Sequence, residues 1–178
     1  MNSSIFREYD IRGIADKDLA DDIVADIGLA IGTLFAKKGL KKISIGRDCR
    51  KSSERIFKVL SSSIIKTGIS IVDLGMVTTP VLYFSLYGIK IDGGIMITAS
   101  HNPPDYNGFK AAIGKNVLSA EQIQEIKNII KSKSFIQDKN LGTLEELDII
   151  DIYKKDILKS INLNKRIIHL LAFLLKIS

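Results

Sequence analysis

Helical and strand-like patterns alternate along the first 135 residues, and this alternation constrains the fold more than any other feature. Apolar residues recur at helical spacing in four stretches, at residues 19–38, at 53–66, from 79 onwards and at 119–132. Between these stretches lie short apolar runs typical of strands, at about residues 42–46, 69–74, 93–98 and 107–113. The sequence therefore predicts an α/β fold, a doubly wound mixed sheet with helices on both faces. The last of these runs follows a loop rather than a helix, so it is expected to return antiparallel to its neighbour.

The C-terminal part of the chain departs from this alternation. Residues 133–146 are rich in Lys, Ser, Asp and Gly, which is typical of a linker. Helical spacing returns at 147–161, and residues 167–177 form a nearly continuous apolar run. That run is shorter than the about 20 residues that a helix needs to span a bilayer, so no membrane association is expected. We therefore divide the chain into a first domain, residues 1–146, and a second part, residues 147–178.

Composition favours a soluble globular protein of the cytoplasm. The chain has 178 residues, of which 46% are apolar and 26% are charged. Cys49 is the only cysteine, so no intrachain disulfide can form, and the N-terminus lacks the basic and apolar segments of a signal peptide. The net charge of +6 is concentrated in residues 151–178, where six Lys/Arg face two Asp. These residues lack the regular interleaving of aromatic side chains that base stacking needs, so nucleic-acid binding is not expected.

The segment Thr98–Gly108 ends the third apolar run and carries two prolines, two asparagines and a glycine. Regular structure must stop in such a segment, so Ser100 is placed where a buried strand opens into a rigid polar loop. In open α/β sheets, ligands bind outside the carboxyl ends of the strands. Ser100 is thus a candidate nucleophile, and the alternative is a serine that only caps a turn through its hydroxyl.

The loop and the N-terminus both match motifs of one family. The string Thr-Ala-Ser-His-Asn-Pro at residues 98–103, followed by Tyr-Asn-Gly-Phe-Lys at 106–110, resembles the phosphoserine loop of the α-D-phosphohexomutases, the phosphoglucomutases and phosphomannomutases. Residues 6–13, Phe-Arg-Glu-Tyr-Asp-Ile-Arg-Gly, are similar to the F-R-x-Y-D-I-R-G stretch with which bacterial members begin. The segments at 46–48 and 78–80 are similar to the family's G-R-D and T-x-P elements, and we assign them a structural role first.

The resemblance implies an enzyme that interconverts hexose 1-phosphates and hexose 6-phosphates through a bisphosphate intermediate. It implies that Ser100 carries the phosphoryl group, that Lys110 assists proton transfer, and that His101 and Asn102 line the same loop. The second arginine of the N-terminal motif, Arg12, would approach the phosphoserine, and a guanidinium matches phosphate oxygens with a planar fork. We therefore expect catalytic roles for Ser100, Lys110 and His101, and phosphate binding by Arg12 and Asn102.

The resemblance also implies Mg²⁺ and a hexose 1,6-bisphosphate activator. Mg²⁺ bridges phosphoryl oxygens in such sites, and Ser100, through its phosphate, is the one metal ligand that the resemblance places in this sequence. The family's remaining ligands come from a D-G-D-x-D-R loop in a second domain, and this sequence contains no such loop. The resemblance covers about the first 150 residues, one domain of four. Residues 147–178 are therefore interpreted as the remnant of the connection to a missing second domain.

Three functions are considered for such a chain. The first is the N-terminal domain of a phosphohexomutase, truncated and inactive alone, with a phosphorylated hexose and the missing C-terminal domains as partners. The second is a solitary domain that binds phosphorylated ligands or a partner without turnover. The third, a Ser–His hydrolase that uses Ser100, is disfavoured because His101 is adjacent in sequence and no G-x-S-x-G elbow is present.

Overall fold

The fold is given by a computed structural model that describes residues 2–160. A short 3₁₀ turn at Ser3–Ile5 is followed by the strands β1 Ile11–Ile14, β2 Lys42–Arg47, β3 Ser70–Met76, β4 Gly93–Ile97, β5 Tyr106–Ile113, β6 Asn116–Val117 and β7 Leu144–Glu146. The helices are α1 Asp21–Lys37, α2 Ser53–Ile65, α3 Thr79–Gly88, α4 Ala120–Ser132 and α5 Ile150–Ser160. Across this range, no helix combines the length and the apolar content needed to cross a membrane. The apolar run at residues 167–177 lies outside the described residues.

These strands form one mixed sheet in the order β1-β5-β4-β2-β3-β7, with β6 paired to β5. The pairs β4–β2, β2–β3 and β3–β7 are parallel, as expected for strands joined by helical crossovers. β5 follows β4 through the loop that contains Ser100 and returns antiparallel to it, as predicted. β1 then pairs antiparallel with β5 and completes that edge of the sheet.

Helices cover both faces of the sheet and bury two separate cores. On β4, Ile95 and Ile97 belong to the core under α1, α2 and α4, whereas Met96 between them belongs to the core under α3 and α5. In the second core the rings of Phe84 and Tyr153 lie with their centroids 5.2 Å apart. Each large apolar side chain removed from water stabilises the fold by roughly 1.5–3 kcal/mol. The predicted fold class, a mixed sheet with helices on both faces, is confirmed.

Helix ends follow the sequence signals for them. Ser119 caps α4, because its Oγ accepts the N–H of Gln122 while the Gln122 side chain accepts the N–H of Ser119 at 2.8 Å. Leu118 and Ile123, the two residues of the predicted hydrophobic staple, are both buried. Gly39 follows the C-cap of α1 with a φ of +82°, a left-handed conformation that glycine adopts without steric cost. The capping box of α4 and the end of α1 are therefore as predicted.

Besides the two-residue β6, which was not predicted, two strands differ from the prediction. β1 has only four residues, and Arg12 and Gly13 interrupt its apolar pattern. β7 lies inside the segment predicted as a linker, is exposed along its length and pairs with β3. Neither strand has the apolar alternation by which a half-buried strand is recognised. The helix predicted from residue 147 begins at Ile150, whose N–H donates to Oδ1 of Asp148 at 3.0 Å. The domain division after residue 146 stays a prediction.

Candidate functional site

A cleft of about 1300 Å³ opens at the carboxyl ends of the parallel strands β2, β3 and β4. Its lining includes Asp48 and Arg50 after β2, Thr78 after β3, and Ser100 and Asn102 after β4. Ligands of open α/β sheets bind at this edge, since the loops that follow parallel strands meet there. The cleft is therefore the candidate site, and two of the predicted site residues line it.

Ser100 occupies a strained turn after β4. Its φ is +54°, in the left-handed region, and its side chain is exposed. A non-glycine residue held in this conformation costs roughly 1–3 kcal/mol, and such residues cluster at functional sites. The Ser100 N–H donates to Oγ1 of Thr98 at 2.9 Å. The hydroxyl that caps this turn therefore belongs to Thr98, and the hydroxyl of Ser100 is not used for that purpose.

Arg12 reaches the serine loop from β1. Its Nη1 donates to Oδ1 of Asn102 at 2.5 Å, and its Nη2 is paired with the carboxylate of Asp10. The Arg12 side chain is 13% exposed, so water screens its charge only weakly. The structure thus brings Arg12 and Asn102 together, two residues along the loop from Ser100. Their role in phosphate binding stays a prediction.

Lys110 lies on β5 beside the same carboxylate. Its Nζ is 3.5 Å from Oδ2 of Asp10, the oxygen that also accepts from Arg12. β1 and β5 pair with Arg12 opposite Gly108, and continuing this register places Asp10 opposite Lys110. One largely buried carboxylate therefore holds two of the predicted cations together. Asp10 is a member of this group that the sequence analysis did not single out.

His101 and Arg50 complete the surroundings of the loop. His101 follows Ser100 directly and its side chain is exposed, and its catalytic role stays a prediction. Arg50 was not predicted as a site residue, yet its guanidinium donates to four backbone carbonyl oxygens, those of Ser100, Asn102, Pro103 and Tyr106. Backbone carbonyls are present at every residue, so no sequence motif reveals such a contact.

Asp18 fixes the far end of β1. Its carboxylate accepts the N–H of Ile14 at 3.0 Å and the side-chain amide of Asn2 at 3.2 Å. These hydrogen bonds, that of Ile14 first, lower the pKa of Asp18 from its ordinary value of 3.8, because they favour the charged carboxylate. Since β1 also carries Arg12, Asp18 supports the strand from which Arg12 reaches the loop.

The residues of this cleft do not make a complete Mg²⁺ site. Within residues 2–160, no three His, Cys, Asp or Glu side chains are grouped so that they could hold a metal ion. Mg²⁺ requires near-octahedral oxygen ligation, usually from one or two carboxylates together with phosphates and waters. A phosphate on Ser100 would offer one such oxygen ligand.

The sheet, the strained serine loop and the cleft define an α/β domain with a candidate ligand site at the carboxyl edge of its sheet. The family model described as "Phosphoglucomutase/phosphomannomutase, alpha/beta/alpha domain I" matches residues 3–137. The chain therefore belongs to the phosphoglucomutase/phosphomannomutase family. The resemblance read from the two sequence motifs is confirmed.

Individual relatives agree with this assignment. The chain is 42% identical over 163 residues to the phosphoglucomutase of Neisseria gonorrhoeae and 38% identical over 163 residues to the phosphomannomutase/phosphoglucomutase of Pseudomonas aeruginosa. A solved structure of a phosphoglucomutase/phosphomannomutase family protein from Burkholderia thailandensis matches with a TM-score of 0.87 and 34% identity, over 93% of this chain and 37% of that chain. Both sequence alignments cover 92% of this chain, which spans only 35% of the length of each relative.

Proposed function

We propose that this chain is the phosphoserine-bearing, N-terminal domain of a phosphohexomutase that interconverts hexose 1-phosphates and hexose 6-phosphates through a hexose 1,6-bisphosphate. The observation that carries the proposal is the strained position of Ser100 in the cleft, with the Arg12–Asn102 hydrogen bond in the same loop region. The names of the relatives, phosphoglucomutase and phosphomannomutase, point to the same class of substrate.

In this proposal Ser100 takes a phosphoryl group from the bisphosphate. Its Oγ forms a bond to phosphorus, and the bond between phosphorus and the sugar oxygen breaks. The serine proton leaves Oγ, and the sugar oxygen gains a proton, so the products are phosphoserine and a hexose monophosphate. The reverse transfer to the other hydroxyl of the sugar completes the isomerisation. Such transfers depend on positioning and charge stabilisation more than on covalent chemistry by the protein.

Side chains near Ser100 would handle the charge and the protons of this transfer. Arg12 would bind phosphoryl oxygens with its guanidinium, which Asn102 and Asp10 hold in place. Lys110 would donate a proton to the departing sugar oxygen and take up the proton that leaves the Ser100 hydroxyl, so its own protonation is restored within the transfer. His101, exposed in the same loop, is proposed to act beside them. Asp10 makes this grouping of cations possible because its negative charge offsets the repulsion between Arg12 and Lys110.

Further domains are proposed to complete this site. A Mg²⁺ bound at the Ser100 phosphate would take its other ligands from further domains, and the chain's 35% share of its relatives is consistent with such domains. The same domains are proposed to hold the second phosphate of the bisphosphate, so this chain alone is expected to be inactive as a mutase. We also propose that the protein is cytoplasmic and that its substrate is a phosphorylated hexose.

Phosphoryl transfer to Ser100 can be tested directly. The 178-residue chain is incubated with Mg²⁺ and glucose 1,6-bisphosphate carrying labelled phosphate, and the labelled peptides are mapped by mass spectrometry. We expect label on Ser100, its loss in Ser100→Ala, and its retention in Ser62→Ala, a matched change of an exposed serine on α2 outside the cleft. Label on another residue, or undiminished label in Ser100→Ala, contradicts the proposal.

A second experiment is needed if the chain stays unlabelled because metal or substrate ligands from other domains are missing. Residues 2–160 replace the aligned segment of the Neisseria gonorrhoeae phosphoglucomutase, to which the chain is 42% identical. We expect this chimaera to interconvert glucose 1-phosphate and glucose 6-phosphate and to lose that activity on Ser100→Ala. A folded chimaera without turnover would show that this chain does not carry the proposed function.

A further inference from the structure

The loop that carries Ser100 is held mainly through its backbone. Between Ala99 and Tyr106 the structure gives only two internal backbone hydrogen bonds, from the Asn102 N–H to the Ala99 carbonyl at 3.1 Å and from the Tyr106 N–H to the Pro103 carbonyl at 3.0 Å. Ser100 also sits in a left-handed conformation that its own side chain does not favour. Something outside the loop must therefore fix its shape.

Arg50 makes most of the contacts from outside the loop, beside the Arg12–Asn102 hydrogen bond and the hydrogen bond from the Ala15 N–H to the Asp105 carbonyl at 2.8 Å. Its Nη1 donates to the carbonyl oxygens of Pro103 at 2.5 Å and Tyr106 at 3.1 Å, and its Nη2 donates to those of Ser100 at 3.0 Å and Asn102 at 2.8 Å. These four carbonyls span the loop from the serine to the first residue of β5. The Arg50 side chain, which follows β2, thus contacts both ends of the loop.

The guanidinium of Arg50 is itself held firmly. Its Nε donates to Oδ2 of Asp48 at 3.2 Å, and the Arg50 side chain is 12% exposed. Asp48 is fixed in turn, because its Oδ1 accepts the Ser53 hydroxyl at 2.7 Å and the Arg50 N–H at 3.1 Å. All three nitrogens of the guanidinium therefore have partners within the protein.

We propose that Arg50 is a positioning residue, which holds the loop backbone so that Ser100 keeps its left-handed conformation and presents its hydroxyl for phosphoryl transfer. The inference rests on the proposed function for the reaction, but the hold on the loop can be measured without it. The planar guanidinium of arginine carries five N–H donors, so it can donate to four carbonyl oxygens at once. Lysine has the same charge on a single rotatable ammonium group, so Arg50→Lys keeps the charge and removes the geometry.

The test compares Arg50→Lys with Arg47→Lys in the 178-residue chain. Arg47 is a suitable control because it lies on the same segment and is also largely buried, but it contacts Asp73 and Glu54 rather than the loop. The first readout is amide hydrogen exchange of Asn102 and Tyr106 by NMR. We expect exchange about tenfold faster in Arg50→Lys, since the loop opens more often, and within about twofold of wild type in Arg47→Lys.

The second readout is the initial rate of Ser100 labelling by glucose 1,6-bisphosphate with Mg²⁺. We expect the rate at saturating bisphosphate to fall about ten- to a hundredfold in Arg50→Lys, because a small displacement of a reacting group is enough for such a loss. The half-saturating concentration should stay within about twofold, since Arg50 is not proposed to bind the bisphosphate. Arg47→Lys should change neither quantity by more than about twofold.

The exchange and labelling results together decide whether Arg50 positions the loop. Unchanged exchange in Arg50→Lys overturns the inference, and so does faster exchange with an undiminished labelling rate. An equal rise of exchange in Arg47→Lys would show a general loss of stability instead of a hold on the loop. If Arg50→Lys does not fold, Asp48→Asn is used instead, which removes the oxygen that accepts from Arg50 Nε and weakens the hydrogen bonds at Oδ1. Exchange at the same two amides must then rise, and no rise would overturn the inference. If the wild-type chain is not labelled, the proposed function is in question while the exchange arm still decides the role of Arg50.

Discussion

Arg12 and Asn102 are 90 residues apart in the chain, yet Nη1 of Arg12 donates to Oδ1 of Asn102 at 2.5 Å. The bond joins the two family motifs, one at the N-terminus and the other in the serine loop. It depends on the pairing of β1 with β5, which places Arg12 opposite Gly108. Local structure alone cannot bring these two side chains together, so their contact reports that this edge of the sheet has formed.

A double-mutant cycle on Arg12 and Asn102 should reveal this contact as a coupling. We expect Arg12→Gln and Asn102→Ala to be non-additive in the free energy of unfolding by about 1 kcal/mol, because the bond is charge-assisted and partly buried. Urea denaturation of the four proteins measures it. A control cycle pairs Arg12→Gln with Asn140→Ala, an exposed residue elsewhere, and should be additive within about 0.5 kcal/mol. Additivity in both cycles would show that the contact contributes nothing.

Asp10 should be needed to keep Arg12 and Lys110 side by side. Asp10→Asn preserves the shape but removes the charge that lies between the two cations. We expect the free energy of unfolding to fall by roughly 1–3 kcal/mol, the usual cost of leaving partly buried charged groups without a partner. Thermal denaturation at low and high salt measures the change, and added salt should restore part of the loss because it screens the repulsion. Asp105→Asn, an exposed control, should change the stability by less than about 0.5 kcal/mol.

The sequence was sufficient for the parts of the fold whose patterns are local. Strands β2 to β5 are apolar runs, and α1, α2 and α4 show helical spacing with identifiable ends, so their positions were predicted within a few residues. β1, β6 and β7 were not predicted. β1 is stabilised by its pairing with β5, and the exposed residues of β7 by pairing with β3, and neither pairing leaves a periodic pattern.

The candidate site was likewise predictable only where its residues are close together in the sequence. A long motif match was enough to single out Ser100, Asn102 and Lys110, because that part of the site is continuous in sequence. The roles of Asp10 and Arg50 depend on partners in other segments of the chain. Arg50 in particular contacts backbone carbonyls about 50 residues away, at Ser100 and beyond. Such contacts become visible only when the fold places the two segments together.

The stability contributed by Asp18 should depend on pH in a defined direction. Its pKa is lowered in the folded state, so the charged carboxylate stabilises the fold above the ordinary value of 3.8, and this contribution is lost as the pH falls through the lowered value. We expect it to be below about 1 kcal/mol, since water screens this carboxylate. Asp18→Asn should thus lower the melting temperature at pH 7, and the difference from wild type should shrink as the pH falls below about 4. A difference that grows towards low pH would contradict this account, and Asp105→Asn again serves as control.

The 178-residue chain alone should show no significant mutase activity. A hexose bisphosphate has to be held at both phosphates and turned around between two transfers, and the chain spans 35% of the length of relatives named as mutases. Positioning of reactants contributes about 7–11 kcal/mol to a reaction, and most of that is lost when one end of the substrate is not held.

A coupled assay with glucose 1-phosphate, glucose 1,6-bisphosphate and Mg²⁺ measures turnover, with the Neisseria gonorrhoeae phosphoglucomutase as positive control. We expect a rate at least about a thousandfold below that control, even for a chain labelled on Ser100. Turnover within about tenfold of the control, abolished by Ser100→Ala, would show instead that this one domain carries a complete mutase site.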